Sequence, residues 1–130
     1  MKIIVLAEDD ADDQDMVREI VQLTNSEVEL HIFPDGEALL ASMKKLPEDF
    51  RPDLIVLDQN MPRLKGSETM WHLKKISGFE DVPVVIYTTY HDNKFAETCA
   101  RMNVELYQKP DKFTEFAKMI GGLMNRYVNG

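Results

Sequence analysis

The sequence predicts an α/β fold: one five-stranded parallel sheet, doubly wound by helices as (βα)5. Two observations carry that reading. Five short runs rich in Val, Ile and Leu recur at residues 2–7, 28–33, 54–57, 82–87 and 104–108. The segments between them space their apolar residues three or four apart, as helices with one buried face do. Strict alternation of strand and helix favours a single parallel sheet joined by right-handed crossovers.

The runs IIVLA, LIVL and VPVVIY show no polar alternation, as expected of strands covered on both faces. Residues 28–33 do alternate, with Val28, Leu30 and Ile32 against Glu29 and His31, which places that strand at an edge. Met16, Val17, Ile20, Val21 and Leu23 mark the first helix, and Asp12, Asp13 and Asp15 suit its N-terminal end. Leu39, Leu40, Met43 and Leu46 mark the second, which stops in the loop between Pro47 and Pro52. Met70, Leu73 and Ile76 mark a third, opened by Gly66 and Ser67. A weakly patterned fourth covers 93–102 and holds Phe95, Cys99 and Met102. The last has the clearest stripe, Phe113, Phe116, Ala117, Ile120, Leu123, Met124 and Tyr127. Gly121 and Gly122 inside it cost about 1 kcal/mol each relative to alanine, so fraying or bending is expected there.

Composition narrows the function classes. The 130 residues carry 15 Lys and Arg against 23 Asp and Glu, a formal charge of −8, which disfavours an electrostatic grip on nucleic acid or on an anionic membrane. No apolar run is long enough to span a bilayer, and residues 1–7 are not expected to act as a signal peptide, because acids begin at Glu8. The expectation is a single cytoplasmic domain over 1–130 with no output domain attached. The lone Cys99 has no partner in the chain and reads as a small buried hydrophobe.

In open parallel sheets the binding crevice lies outside the carboxyl ends of the strands. Here the first strand ends in Glu8, Asp9 and Asp10, the third in Asp58, the fourth in Thr88 and Thr89, and the fifth in Lys109 and Pro110. If the first and third strands are neighbours, Glu8, Asp9 and Asp58 crowd one site. Two carboxylates about 5 Å apart repel by roughly 3 kcal/mol at an effective dielectric near 20. Such a site invites a hard divalent cation, and oxygen ligands with retained water suit Mg²⁺. Lys109 adds a mobile positive charge and Thr88 a hydroxyl donor, the groups needed to neutralise a phosphoryl group arriving on a carboxylate. Asp10, Asp12, Asp13 and Asp15 read as helix-cap or solvated acids.

The segments AEDD at 7–10, LDQNMPRLKG at 57–66, VVIYTTY at 84–90 and YQKP at 107–110 resemble the receiver domain of two-component response regulators. LDQNMPRLKG is similar to that family's D-x-x-M-P-x-x-x-G signature. The resemblance covers essentially the whole chain and implies a flavodoxin-like strand order 2-1-3-4-5. It also implies that Asp58 is the phosphoacceptor, taking a phosphoryl group from a sensor histidine kinase or a histidine phosphotransfer protein. By the same resemblance Asp9 and Asp58 bind Mg²⁺, Glu8 acts through water, and the backbone carbonyl of Asn60 is a further ligand. Lys109 and Thr88 hold phosphoryl oxygens, Pro62 and Gly66 shape the loop before the third helix, and Pro110 takes a cis bond. An unknown downstream protein, or a second copy in a phosphorylation-dependent homodimer, reads the face of helix 4, strand 5 and helix 5; a monomer is equally compatible.

Two departures stand out. The family's switch aromatic stands three places before the lysine, where this chain has Leu106; its aromatic, Tyr107, stands two before. A one-residue deletion would restore Tyr107 to that role, and the alternative is that Tyr107 points to the opposite sheet face. Thr89 and Tyr90 are bulky for their positions after Thr88, and shielding of the acyl phosphate by Tyr90 would lengthen its lifetime.

His31, His72 and His91 lack metal-ligand spacing and read as surface or edge residues; Trp71 and the methionines read as packing and helix-face residues. An Mg²⁺-dependent phosphatase with an aspartyl nucleophile is the alternative function, but its usual second acid two residues on is Asn60 here. A flavin carrier needs a phosphate loop after the first strand, where Glu8, Asp9 and Asp10 repel phosphate.

Overall fold

The structure is a computed structural model that describes residues 1–90 and 92–129. The reading of His91 lies outside the described residues. Five strands and five helices alternate: β1 (Ile3–Ala7), α1 (Ala11–Thr24), β2 (Glu29–Phe33), α2 (Gly36–Lys44), β3 (Leu54–Asp58), α3 (Gly66–Leu73), β4 (Val84–Thr88), α4 (Asn93–Arg101), β5 (Glu105–Gln108) and α5 (Phe113–Tyr127). All pairings are parallel, in the order β2-β1-β3-β4-β5. The alternating run 28–33 becomes edge strand β2, and the uninterrupted apolar runs become the three inner strands.

Two apolar layers cover the sheet. On one face Ile3, Val5, Ile55, Leu57 and Ile86 pack under Leu39 and Met43 of α2, Met70 and Leu73 of α3 and Cys99 of α4. On the other, Ile4, Leu6, Leu54, Val56, Val85 and Tyr87 pack under Val17 and Ile20 of α1 and Phe116, Ile120 and Leu123 of α5. The period of two along each strand decides which layer a residue joins. Carried one step past the apolar run, the same period puts Glu8 after Ile4 and Leu6, and Asp58 after Leu54 and Val56, on the α1/α5 face.

Several boundaries differ from the sequence expectation for local reasons. β4 starts at Val84 because Pro83 has no N–H for the ladder, although its carbonyl accepts from Ile55 N at 3.0 Å. α2 stops at Lys44 because Lys45 and Leu46 bond back three residues, to Ser42 and Met43, in a tightened last turn. Trp71 is half exposed on α3, with Lys75 Nζ 3.4 Å from its ring centroid, so it is a helix-face residue and not part of the core. Phe113, at the start of the last stripe, is also exposed.

Gly121 and Gly122 neither end nor interrupt α5, which runs unbroken to Tyr127. A Cβ at either position meets nothing within 4 Å, so these glycines retain only their entropic cost. Gly121→Ala is therefore expected to stabilise the fold by about 0.5–1 kcal/mol, read as a higher urea midpoint with unchanged slope.

Candidate acidic functional site

β1 and β3 are adjacent, with Ala7 in register with Leu57, so Glu8 and Asp58 leave the sheet side by side. The chain winds toward β2 on one side of this point and toward β4 and β5 on the other, which is where a doubly wound sheet opens its crevice. Carboxylate oxygens of Glu8, Asp9 and Asp58 all lie within 4.8 Å of one another. Glu8 is completely buried and Asp58 is 3% exposed, while Asp9 faces solvent. This is the one such cluster of potential metal ligands among the described residues.

Glu8 is held by protein donors on both oxygens. Tyr87 OH donates to Oε1 at 2.5 Å, Lys109 Nζ lies 3.1 Å from the same atom, and Asp10 N donates to Oε2 at 3.0 Å. Tyr87 itself is wedged edge-on against Phe116, ring centroids 5.8 Å apart. Burial, then the charge of Glu8, pushes the Tyr87 phenol well above its ordinary value, so it stays a proton donor to Glu8. Lys109 also pairs with Asp13 of α1. Burial opposes the charge on Lys109, yet the hydrogen bond to Asp13 and the field of Glu8 outweigh it and hold the ammonium above the usual lysine value.

Asp58 pays for its neighbours in proton affinity. Burial first, and the negative charge of Glu8 second, push its pKa up to about 7, against the lowering effect of the Asn60 backbone N–H at 3.1 Å and of Lys109. The donor set fits a hard divalent cation: three carboxylates, two of them scarcely hydrated, with neither thiolate nor imidazole in the group.

Asn60 does more than its backbone suggests. Its side-chain carbonyl accepts from Thr88 Oγ1 at 3.2 Å, Thr89 N at 3.0 Å and Thr89 Oγ1 at 3.1 Å, tying the loop after β4 to the loop after β3. Pro62 accepts from Leu64 N at 2.7 Å in a tight turn that sets Arg63 at φ 66°, and Asp35 and Glu37 hold the Arg63 guanidinium at 2.9 and 3.1 Å. Gly66 opens α3 where a Cβ would stand 2.6 Å from the Asp58 carbonyl oxygen, so only glycine fits there.

Three expectations are corrected. No described peptide bond is cis, so Lys109 and Pro110 are joined in trans, the arrangement an X-Pro bond favours by about 0.5–1 kcal/mol. Tyr107 does not share a face with Thr88: it pairs in register with Tyr87, packs on the α1/α5 layer and donates to Glu105 Oε2 at 2.8 Å. Leu106 instead joins Thr88 in lining a cleft of about 290 Å³ beside α4. Asp13 is a partner of Lys109, where its sequence position suggested a cap or solvated acid; Asp10 does cap α1, accepting from Asp13 N at 3.1 Å. Tyr90 is 73% exposed and borders the same cleft as Leu106. His31 lies on edge strand β2, 3.5 Å from Glu29, and His72 stacks edge-on with Trp71; neither belongs to the cluster of Glu8, Asp9 and Asp58.

Comparison with known proteins fits this geometry. The response regulator receiver domain family model matches residues 4–120, and the chain belongs to that family. It is 31% identical over 126 residues to response regulator Rcp1 of Synechocystis sp., covering 94% of this chain and 86% of that protein. The Mn²⁺-bound structure of Rcp1 superposes with a TM-score of 0.85 at 29% identity, over 100% of this chain and 97% of that one. The phosphorylated cyanobacterial phytochrome response regulator RcpA shares the fold, with a TM-score of 0.86 at 24% identity over 98% and 94% of the two chains.

The raised Asp58 pKa fixes a pH dependence. The native state holds a proton that the unfolded state releases near 3.8, so stability falls as pH rises from about 4 through about 7. In metal-free buffer, Asp58→Asn is expected to flatten that slope and to stabilise the protein at pH 8 by on the order of 2–4 kcal/mol, measured by urea denaturation across pH.

Proposed function

We propose that this receiver domain accepts a phosphoryl group on Asp58 from the phosphohistidine of a sensor histidine kinase or a histidine phosphotransfer protein, with Mg²⁺ as the divalent cofactor. The convergence of Glu8, Asp9 and Asp58 within 4.8 Å, beside Lys109, is the observation that carries this reading. An Asp58 carboxylate oxygen attacks phosphorus, the P–N bond breaks, and the departing imidazole nitrogen keeps the electron pair and takes a proton from water. Catalysis is then positioning and charge stabilisation.

Asp9 and Asp58 would hold the cation, with Glu8 adjoining and the Asn60 backbone carbonyl as a further ligand. When bound, it supplies positive charge against the carboxylates and the phosphoryl oxygens and favours the ionised form of Asp58. Lys109 contributes an ammonium to one phosphoryl oxygen. Thr88 contributes a hydroxyl to another, which requires Thr88 Oγ1 to leave Asn60 and so reshapes the loop after β4. A phosphoryl group brings about −1.5 to −2 charges and three acceptor oxygens, enough to bias such a two-state loop.

The altered surface is the face of α4, β5 and α5, offered to a downstream protein or to a second copy of the chain, in the cytoplasm where such kinases present phosphohistidine. The mechanism calls for neither nucleic acid nor membrane, and no described helix is long and apolar enough to cross one.

Acetyl phosphate with Mg²⁺ tests the acceptor. The expected result is an adduct of about 80 Da, one phosphoryl group, absent in Asp58→Asn and absent when chelator replaces Mg²⁺. Multiple-turnover phosphate release with no adduct would instead support a phosphatase. Thr89 and Tyr90 set the lifetime of the acyl phosphate in this reading. Tyr90→Ala is expected to speed its loss by about three- to tenfold, followed by mass spectrometry after donor removal.

A further inference from the structure

Of the acids near the start of α1, Asp13 is the one that turns inward: Asp12 and Asp15 are exposed, while the Asp13 side chain is 20% exposed and ion-paired with Lys109. Helix capping does not account for it. Asp10 is the cap, and Asp13 enters that cap only through its backbone N–H. Its carboxylate is left for another task.

The partner's arrangement shows what that task is. The Lys109 side chain is only 10% exposed, and its ammonium has three N–H donors. One is directed to Glu8 Oε1 at 3.1 Å and one to Asp13 Oδ2. Among the described residues its hydrogen bonds go to these two acids and none to Asp58. The Tyr87 ring, 5.1 Å from Nζ, closes the same side. Glu8 is fixed by Tyr87 and Asp10 and cannot follow the ammonium, whereas Asp13 is partly open to water and can be hydrated when its partner leaves.

We propose that Asp13 is a positioning residue: a resting-state counter-ion that holds the Lys109 ammonium on the α1 side of the site and must release it before the ammonium can serve a phosphoryl group on Asp58. The proposal rests on the phosphoacceptor reading for its consequence but not for the contact itself. A doubly charged phosphoryl group competes with a singly charged carboxylate for one ammonium. Asp13 thus sets how strongly the site must be charged before Lys109 moves. Removing its charge lowers that threshold, and the phosphorylated state becomes easier to reach.

The test uses the full chain labelled with ¹⁵N-lysine, comparing wild type with Asp13→Asn, Asp13→Glu and Asp12→Asn. Asp12→Asn removes the same charge one residue away, from an exposed side chain outside the Lys109 hydrogen bonds. The Lys109 ammonium is expected to exchange its protons slowly in wild type, Asp13→Glu and Asp12→Asn, and about tenfold or more faster in Asp13→Asn. Phosphorylation by acetyl phosphate is expected to be roughly three- to tenfold faster in Asp13→Asn, and within about twofold of wild type in Asp12→Asn. Equal ammonium exchange in Asp13→Asn and wild type overturns the proposal, as do matching rate gains in the two Asn variants, which would reveal only a general charge effect. A tenfold loss of Mg²⁺ affinity in Asp13→Asn also overturns it, by assigning Asp13 to the cation. If wild type takes up no phosphoryl group, the acceptor reading fails, and the ammonium exchange alone still decides whether Asp13 holds Lys109.

Discussion

Like-charge crowding at the mouth of a parallel sheet is the constraint on which the rest of this molecule depends. Glu8, Asp9 and Asp58 bring their oxygens within 4.8 Å of one another, two of the three with almost no access to water. At an effective dielectric near 20, each such pair repels by roughly 3 kcal/mol. Lys109, Tyr87 and the Asp10 and Asn60 backbone amides offset part of that repulsion. Burial first, and the repulsion from Glu8 that remains second, raise the affinity of Asp58 for a proton. A cation bound among these acids would relieve the same repulsion, which is how the fold supports the proposed chemistry.

The scaffold maintains the crowding by geometry that leaves little room for relaxation. β1 and β3 are central, paired strands, so Glu8 and Asp58 cannot separate without breaking the sheet. Gly66 lets α3 begin against the Asp58 carbonyl, and Gln59 pins that helix start through Ser67 N at 2.7 Å. The adaptable parts lie around this fixed centre. Asn60 grips Thr88 and Thr89 through three bonds to one oxygen, and Asp13 grips Lys109 from α1. In the proposed mechanism these are the contacts exchanged for ones to a phosphoryl group, while the acids on β1 and β3 stay in place.

The strand order, the edge position of β2 and the acidic cluster were legible because each follows from a pattern the sequence displays: period-two burial, uninterrupted apolar runs, and charged residues just past them. Tyr87 was hidden for the opposite reason. Inside VVIYT it looks like any buried strand residue, and only the register with Asp58 reveals that its hydroxyl lands on Glu8. Asp13 was hidden among three other acids that do what helix-start acids ordinarily do. Tyr107 shows how sharply the strand period acts: one position along β5 separates the face of Thr88 from the face of Tyr87, and Leu106 takes the place that an aromatic was expected to fill. The Asn60 side chain could not be read from spacing at all, since its partners lie 28 and 29 residues away.

Thermal unfolding with and without Mg²⁺ tests the central claim most directly, because it asks whether the carboxylates are held together against their own repulsion. Wild type is expected to gain about 4 °C or more in Tm at millimolar Mg²⁺, while Asp9→Asn and Asp58→Asn gain little. An equal gain in all three proteins, or none in wild type, would contradict the account.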